Sequence, residues 1–232
     1  MGGFGYYGKI PAQGDFLRRG LTPGFVEPWD RWLQALMLSG RASLGAGWQD
    51  AYFSAPIWRF ALPGGVCGPA AVAGVLMPSV DRVGRQFPLT LAAEIEAPSA
   101  LAAYRAAAPA FGALEEAALA MLDDGAAREM LERRLGAVAP GPVPGEVAAH
   151  QVAGALCLAG AEAPLADLLA GAALAARPPG ATLWLATVDG ASRAMTCTGL
   201  PQGDALMRGL VDLGAPVWSG GAGAAITGDL WP

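Results

Sequence analysis

The amino-acid sequence predicts an α+β fold, and three observations carry that prediction. Short runs of β-branched, aromatic and other apolar residues, punctuated by Pro and Gly, fall at 4–10, 57–62, 72–77 and 87–93. After Ala97 the texture becomes alanine-rich and helical. A second strand pair follows at 182–188 and 193–198, joined through "DGAS", in which Asp-Gly is a favoured hairpin turn pair. Strands at both ends with helices between them imply that the last hairpin returns to the first sheet and closes a single domain over residues 1–232.

Each element has a local cause. The first strand is stopped by Pro11, which lacks the N–H that a ladder needs. From Pro28, which suits a first helical turn, Trp29, Trp32, Leu33, Leu36 and Met37 recur at helical spacing, with Asp30, Arg31 and Gln34 on the other face. A shorter helix is predicted around 44–52, and "LPGGVCGP" connects the strands at 57–62 and 72–77 as a hairpin. The helical stretch over 99–123 is expected to bend near Pro109, and the next, over 126–135, ends before "APGPVPG". Further helices are predicted at 146–158, 164–176 and 203–213, and no internal repeat is visible.

Composition excludes several classes. A mean hydropathy of +0.37 raises the question of a membrane span. The one long uncharged stretch, 60–80, is divided by Pro63, Pro69, Pro78 and several glycines, which no lipid-exposed helix tolerates at that density. Fifteen basic against twenty acidic residues give a net charge of −5, which argues against general nucleic-acid binding. The charge is uneven: 1–95 hold eight Lys or Arg against six Asp or Glu, and 96–232 hold seven against fourteen. A basic-leaning face on an acidic protein points to a partner with the opposite pattern. Cys67, Cys157 and Cys197 are widely spaced without any CxxC, so they read as free buried thiols rather than a disulfide or zinc framework. The opening "MGGFGYYGKI" lacks a basic segment followed by an apolar core, and Tyr6 stands where a myristoylation motif needs Ser or Thr. A cytoplasmic protein is expected.

The usual catalytic parts are scarce. "GGFGYYG" fits GxGxxG, but no strand precedes it and Pro11 prevents a helix from opening behind it, so no dinucleotide site is read there. The single His150 lies among alanines and reads as structural. Glu115, Glu116, Asp123, Asp124, Glu129 and Glu132 fall on helix faces or ends, where solvated charge is the ordinary reading. Trp29, Trp32 and Trp58 read as core anchors. No catalytic residue, metal or cofactor is assigned. The informative polar stretches are "QGDFLRRGL", with Asp15, Arg18 and Arg19, and "PSVDRVGRQFP", with Asp81, Arg82 and Arg85. In each an aspartate beside Gly or Pro turns could pair with one arginine and leave another guanidinium free, as a loop strap, a partner-binding surface, or a phosphate or catalytic site.

The ordered blocks "GYYGKIPAQGDFLRRGL", "FVEPWDRWLQ", "APIWRFAL" and "GVCGPAAVAGVLMPSVDRVGRQFPLTLAA" resemble the N-terminal domain of the TagF family associated with bacterial type VI secretion systems. The resemblance is close over 1–97 and less distinct over 98–232. It implies a central mainly antiparallel sheet flanked by helices, similar to longin or SRX-like domains. It also implies a cytoplasmic accessory protein that represses the secretion system after translation through the forkhead-associated scaffold protein Fha. The family offers no established catalytic residue to carry over.

The leading expectation is therefore a non-enzymatic regulator that docks through the stretches around Asp15, Arg18 and Arg19 and around Asp81, Arg82 and Arg85, beside Trp29 and Asp30. The alternatives are a hydrolase or phosphate-handling enzyme using Asp81 with Arg82 or Arg85, and a structural subunit of the apparatus. All three cysteines are predicted to be reduced in cells. Alkylation of freshly lysed cells followed by mass spectrometry should find every thiol modified, and a disulfide would contradict the expected compartment.

Overall fold

The computed structural model describes residues 2–123, 125–145, 148–152, 155–159, 170 and 180–219. Strands β1 (Gly5–Gly8) and β2 (Leu17–Arg19) lead into the long helix α1 (Pro23–Leu44) and the short α2 (Trp48–Ser54). A meander of β3 (Trp58–Leu62), β4 (Ala71–Met77) and β5 (Leu89–Ile95) follows. Helices α3 (Ala100–Ala107), α4 (Phe111–Leu119) and α5 (Arg128–Gly136) come next, then a separate hairpin of β6 (Ala148–Val152) and β7 (Ala155–Ala159). Strands β8 (Ala181–Val188) and β9 (Ala191–Thr198) and helix α6 (Asp204–Val211) complete the described elements.

The main sheet has the order β2-β1-β5-β4-β3-β8-β9, with every neighbouring pair antiparallel. The late hairpin turns through Asp189 and Gly190, both at positive φ, and β8 joins β3 through Arg59↔Leu185, Phe60↔Trp184 and Ala61↔Leu183. It returns to the first sheet, as the strand pattern predicts.

Both faces of the sheet are covered. On one, Ala73, Val75 and Met77 of β4 and Leu89, Leu91 and Ala93 of β5 pack with Ala103, Phe111, Leu114 and Leu131 from α3, α4 and α5. On the other, Trp58, Phe60 and Leu62 of β3 and Trp184 of β8 pack with Phe25, Trp29, Trp32 and Leu33 of α1 and Leu210 of α6. That is why β4 is buried along its whole length and reads as a continuous apolar run instead of an alternating one. Across the α1 face the register lines up Ala92, Gly74, Phe60 and Trp184, small residues grading into large ones. A Cβ on Gly74 would stand 2.1 Å from the Leu91 carbonyl oxygen, so this row cannot be filled at its narrow end. At the wide end Trp29 stacks on Phe60 at 4.6 Å, and its Nε1 donates to Thr90 Oγ1 at 2.9 Å.

Several expectations are corrected. Helix α1 starts at Pro23, with Thr22 Oγ1 accepting from the Phe25 amide, and Pro28 lies inside the helix; the Thr-Pro pair is the stronger start signal. The stretch Leu17–Arg19, read as loop, is an edge strand too short to show alternation. The helix predicted over 146–158 is the β6–β7 hairpin, where alanine's helix propensity is overridden by strand pairing. The helix predicted over 164–176 lies outside the described residues apart from position 170. The three cysteines are free, but only Cys67 is buried; Cys197 is half-buried and Cys157 exposed. Burial pushes the Cys67 thiol up to about 12.

Trp32 ties the N-terminal helix to the far end of the chain: its ring lies 5.2 Å from Trp184, and its Nε1 donates to the Pro201 carbonyl at 2.8 Å. Trp32→Ala should therefore destabilise the protein by roughly 3–5 kcal/mol. The check is the urea midpoint, which should fall without loss of cooperativity.

Candidate functional site

The two polar stretches singled out in the sequence meet in space. Gly8, at φ +137°, lets the end of β1 run against the backbone of Pro88, where a Cβ would stand 2.1 Å from the Pro88 oxygen. The next residue, Lys9, then reaches the loop between β4 and β5, and its Nζ donates to Asp81 Oδ2 at 2.9 Å. Arg85 Nε donates to the same oxygen at 2.6 Å, while the amides of Val83 and Arg85 donate to Oδ1 at 3.1 and 2.9 Å. The loop is closed by its own backbone, Asp81 N–H to Arg85 O and Gly84 N–H to Asp81 O. It is stitched to the β1–β2 connection by the Arg82 amide on the Gln13 carbonyl and by Arg85 Nη2 on the Gly14 carbonyl.

This is a clasp around a buried charge. The Asp81 side chain is fully buried and that of Lys9 nearly so, while Arg85 covers the pair from solvent. Burial on its own would raise the Asp81 carboxyl, but the hydrogen bonds from Lys9, from the Arg85 amide and guanidinium and from the Val83 amide outweigh it and hold the group well below the usual carboxylate range. Lys9 also lies 4.9 Å over the ring of Phe16, which packs edge-on against Phe87 at 4.7 Å.

The remaining predicted residues scatter around the clasp. Arg82 is exposed, and its guanidinium has no side-chain partner among the described residues. Asp15 is exposed and does not pair with Arg18 or Arg19, which corrects the expected strap in the first stretch; the chain extends into β2 there and carries both arginines away. Arg18 sits opposite Tyr7 on the edge strand, whereas Arg19 forms an ion pair with Glu132 of α5. Asp30 accepts from Tyr7 Oη and Gln34 Nε2, each at 2.6 Å. Trp29 is fully buried, as its core-anchor reading predicts, so it is not part of the docking surface it was placed beside.

Beside the clasp runs a groove that sequence reasoning missed. Two depressions of about 540 and 410 Å³ share Arg41 and Gln86. The first is lined also by Trp48, Gln49, Phe53 and Arg85, the second by Gln34, Met37, Leu38 and Phe87. Gln86 is fixed by Trp48 Nε1, which donates to its Oε1 at 2.6 Å. Exposed Leu38, Phe53 and Val83, at 72%, 54% and 69% of their free surface, give this side of the molecule an apolar rim. Their signal in the sequence was weak, because the groove forms only where the neighbouring helices α1 and α2 meet a loop some thirty residues further along the chain.

Asp81 has each oxygen occupied by two donors, and no group of three or more His, Cys, Asp or Glu able to hold a metal occurs among the described residues. No helix among the described residues is long and apolar enough to cross a membrane.

Asp81→Asn should cost roughly 3–5 kcal/mol near neutral pH, because it leaves Lys9 buried without its counter-charge. The folded-state pKa is depressed, so the carboxylate's contribution is present above the ordinary value and lost as pH falls towards the folded one. The stability gap between wild type and variant should therefore narrow from about pH 5 downwards. Denaturant titrations across that range check the sign; a gap independent of pH would mean that the charge is not what stabilises the loop.

No curated protein matches the chain. The family model described as the TagF N-terminal domain, type VI secretion system-associated, matches residues 5–138. Among solved structures, the crystal structure of PA0076 from Pseudomonas aeruginosa PAO1 is 33% identical, covering 90% of this chain and 94% of that one with a TM-score of 0.70. The family match spans the clasp and the groove, and the chain belongs to the type VI secretion system-associated TagF family.

Proposed function

We propose that this protein is a non-enzymatic cytoplasmic regulator that represses a type VI secretion system after translation, by docking on a forkhead-associated scaffold protein of the Fha type. The observation that carries the reading is the Asp81 clasp. It uses the carboxylate and one guanidinium internally, and presents Arg82 and Val83 on a loop held at both ends by backbone hydrogen bonds. A loop ordered before its partner arrives loses little entropy on docking.

The enzyme alternative asks Asp81 to act as a base or nucleophile with Arg82 or Arg85. A carboxylate that accepts four hydrogen bonds and is held far below the usual range is a weak base, and its lone pairs are already engaged. The same contacts suit a structural anchor. Of the two arginines in the loop, Arg82 is the one whose charge is available to a partner.

Arg82→Ala should weaken scaffold binding by roughly 1–2 kcal/mol and relieve repression in cells, with an unchanged melting temperature. Titration calorimetry with purified scaffold and a secretion assay check both halves. Wild-type protein that fails to bind the scaffold, or that stays with the purified apparatus in stoichiometric amount, would overturn the regulator reading in favour of another partner or a structural subunit.

A further inference from the structure

We propose that the groove between α1, α2 and the Asp81 loop is the seat for an acidic segment of the protein partner, with one apolar side chain of that segment anchored between Leu38 and Phe53. The inference rests on the docking reading above and specifies where and by what chemistry docking occurs.

Charge complementarity selects this occupant. Arg41 and Arg85 are the charged residues lining the two depressions, and no carboxylate lines either, although the protein as a whole carries a net charge of −5. Arg85 is not a bare cation, since it pairs with Asp81, but Lys9 pairs with the same carboxylate, so the three groups together carry one surplus positive charge beside the groove. Asp50, in the first turn of α2, is exposed outside the lining. Arg41 lies in the last turn of α1, its guanidinium 5.8 Å over the Trp48 ring, with only a long 3.4 Å contact from Nη2 to Gln86 Oε1. Its remaining donors have no other partner among the described residues and are free for a carboxylate.

The apolar half of the recognition comes from the rim. Leu38 and Phe53 are among the few large apolar side chains that the described surface exposes, and each lines one of the two depressions. Trp48 lines the first depression and Met37 and Phe87 the second, all three nearly fully buried, so an incoming side chain meets a fixed surface. A cationic centre with apolar shoulders fits an acidic segment carrying a single leucine or aromatic residue, and disfavours a basic one.

The test uses the full chain and a fluorescein-labelled synthetic peptide in which glutamates flank one leucine, read by anisotropy. Two counterparts replace the glutamates by lysines or the leucine by alanine. Wild type should bind the acidic peptide at least about tenfold more tightly than the lysine version, and the alanine version should lose most of the affinity. Arg41→Gln should shrink the charge preference, Arg41→Glu should abolish it, and Phe53→Ser should weaken the acidic peptide without lowering the melting temperature, because both side chains are exposed. Equal binding of acidic and basic peptides, or unchanged affinity in Arg41→Gln and Phe53→Ser, overturns the proposal. So does concentration-dependent self-association in sedimentation that Phe53→Ser abolishes, since a second copy would then cover the groove. If purified scaffold binds wild type and these two variants alike, the groove inference fails while the docking reading stands. If scaffold does not bind at all, the docking reading fails, and the peptide arms still decide what the groove accepts.

Discussion

A sheet buried on both faces has to find apolar cover twice, and this chain is organised around that constraint. The alanine-rich helices α3 and α4 supply most of one cover at close range, because small side chains let helix backbones approach the strands, and Leu131 and Leu135 of α5 complete it. The other cover is built from large aromatics, with Trp29, Phe60 and Trp184 stacked over the wide end of a row that narrows to Gly74 and Ala92. The two halves of the chain therefore differ in texture for a packing reason. Burying indole rings also obliges their N–H groups to find acceptors, and Trp29, Trp32 and Trp58 meet Thr90, Pro201 and Leu210.

The same economy of burial governs the clasp. A carboxylate with no solvent contact is tolerated only where every lone pair is met, and Asp81 meets that condition with two cationic side chains and two backbone amides. An apolar residue of similar size would avoid the desolvation cost. What the buried charge adds is a unique conformation for the loop and a fixed distance between β1 and the β4–β5 connection, on which the neighbouring groove depends.

Much of the fold was legible because its signals are local. The tryptophan stripe of α1 at helical spacing, the Asp189-Gly190 turn and the proline bend after α3 each announce an element within a few residues. The β6–β7 hairpin was not legible, since alanine, valine and leucine in that order fit either period. At the site, the sequence picked out Asp81 and its arginines but had no means of pairing Asp81 with Lys9, which lies 72 positions away. A lysine between Gly8 and Ile10, inside an otherwise apolar strand end, was the available clue. Trp29 read correctly as a core anchor from its place on the apolar stripe, and its placement beside Asp30 at the docking surface does not hold, because adjacent residues on a helix point about 100° apart. The groove could not be read at all, because its walls come from three segments whose meeting is a product of the tertiary fold.

The position of β8 has a kinetic consequence. Until that strand is made, β3 has an open edge and the indole of Trp29 lacks one of its stacking partners, yet everything from α3 to the β6–β7 hairpin is synthesised in between. Emerging from the ribosome, the N-terminal portion is a sheet with an unpaired, largely apolar margin, the kind of species that aggregates or recruits chaperones. Completion waits on a long-range pairing, which slows folding relative to a chain whose contacts are sequential. The stretch matched by the family model, ending at residue 138, is thus not a unit that closes by itself: the strand that seals it is delivered from beyond that boundary.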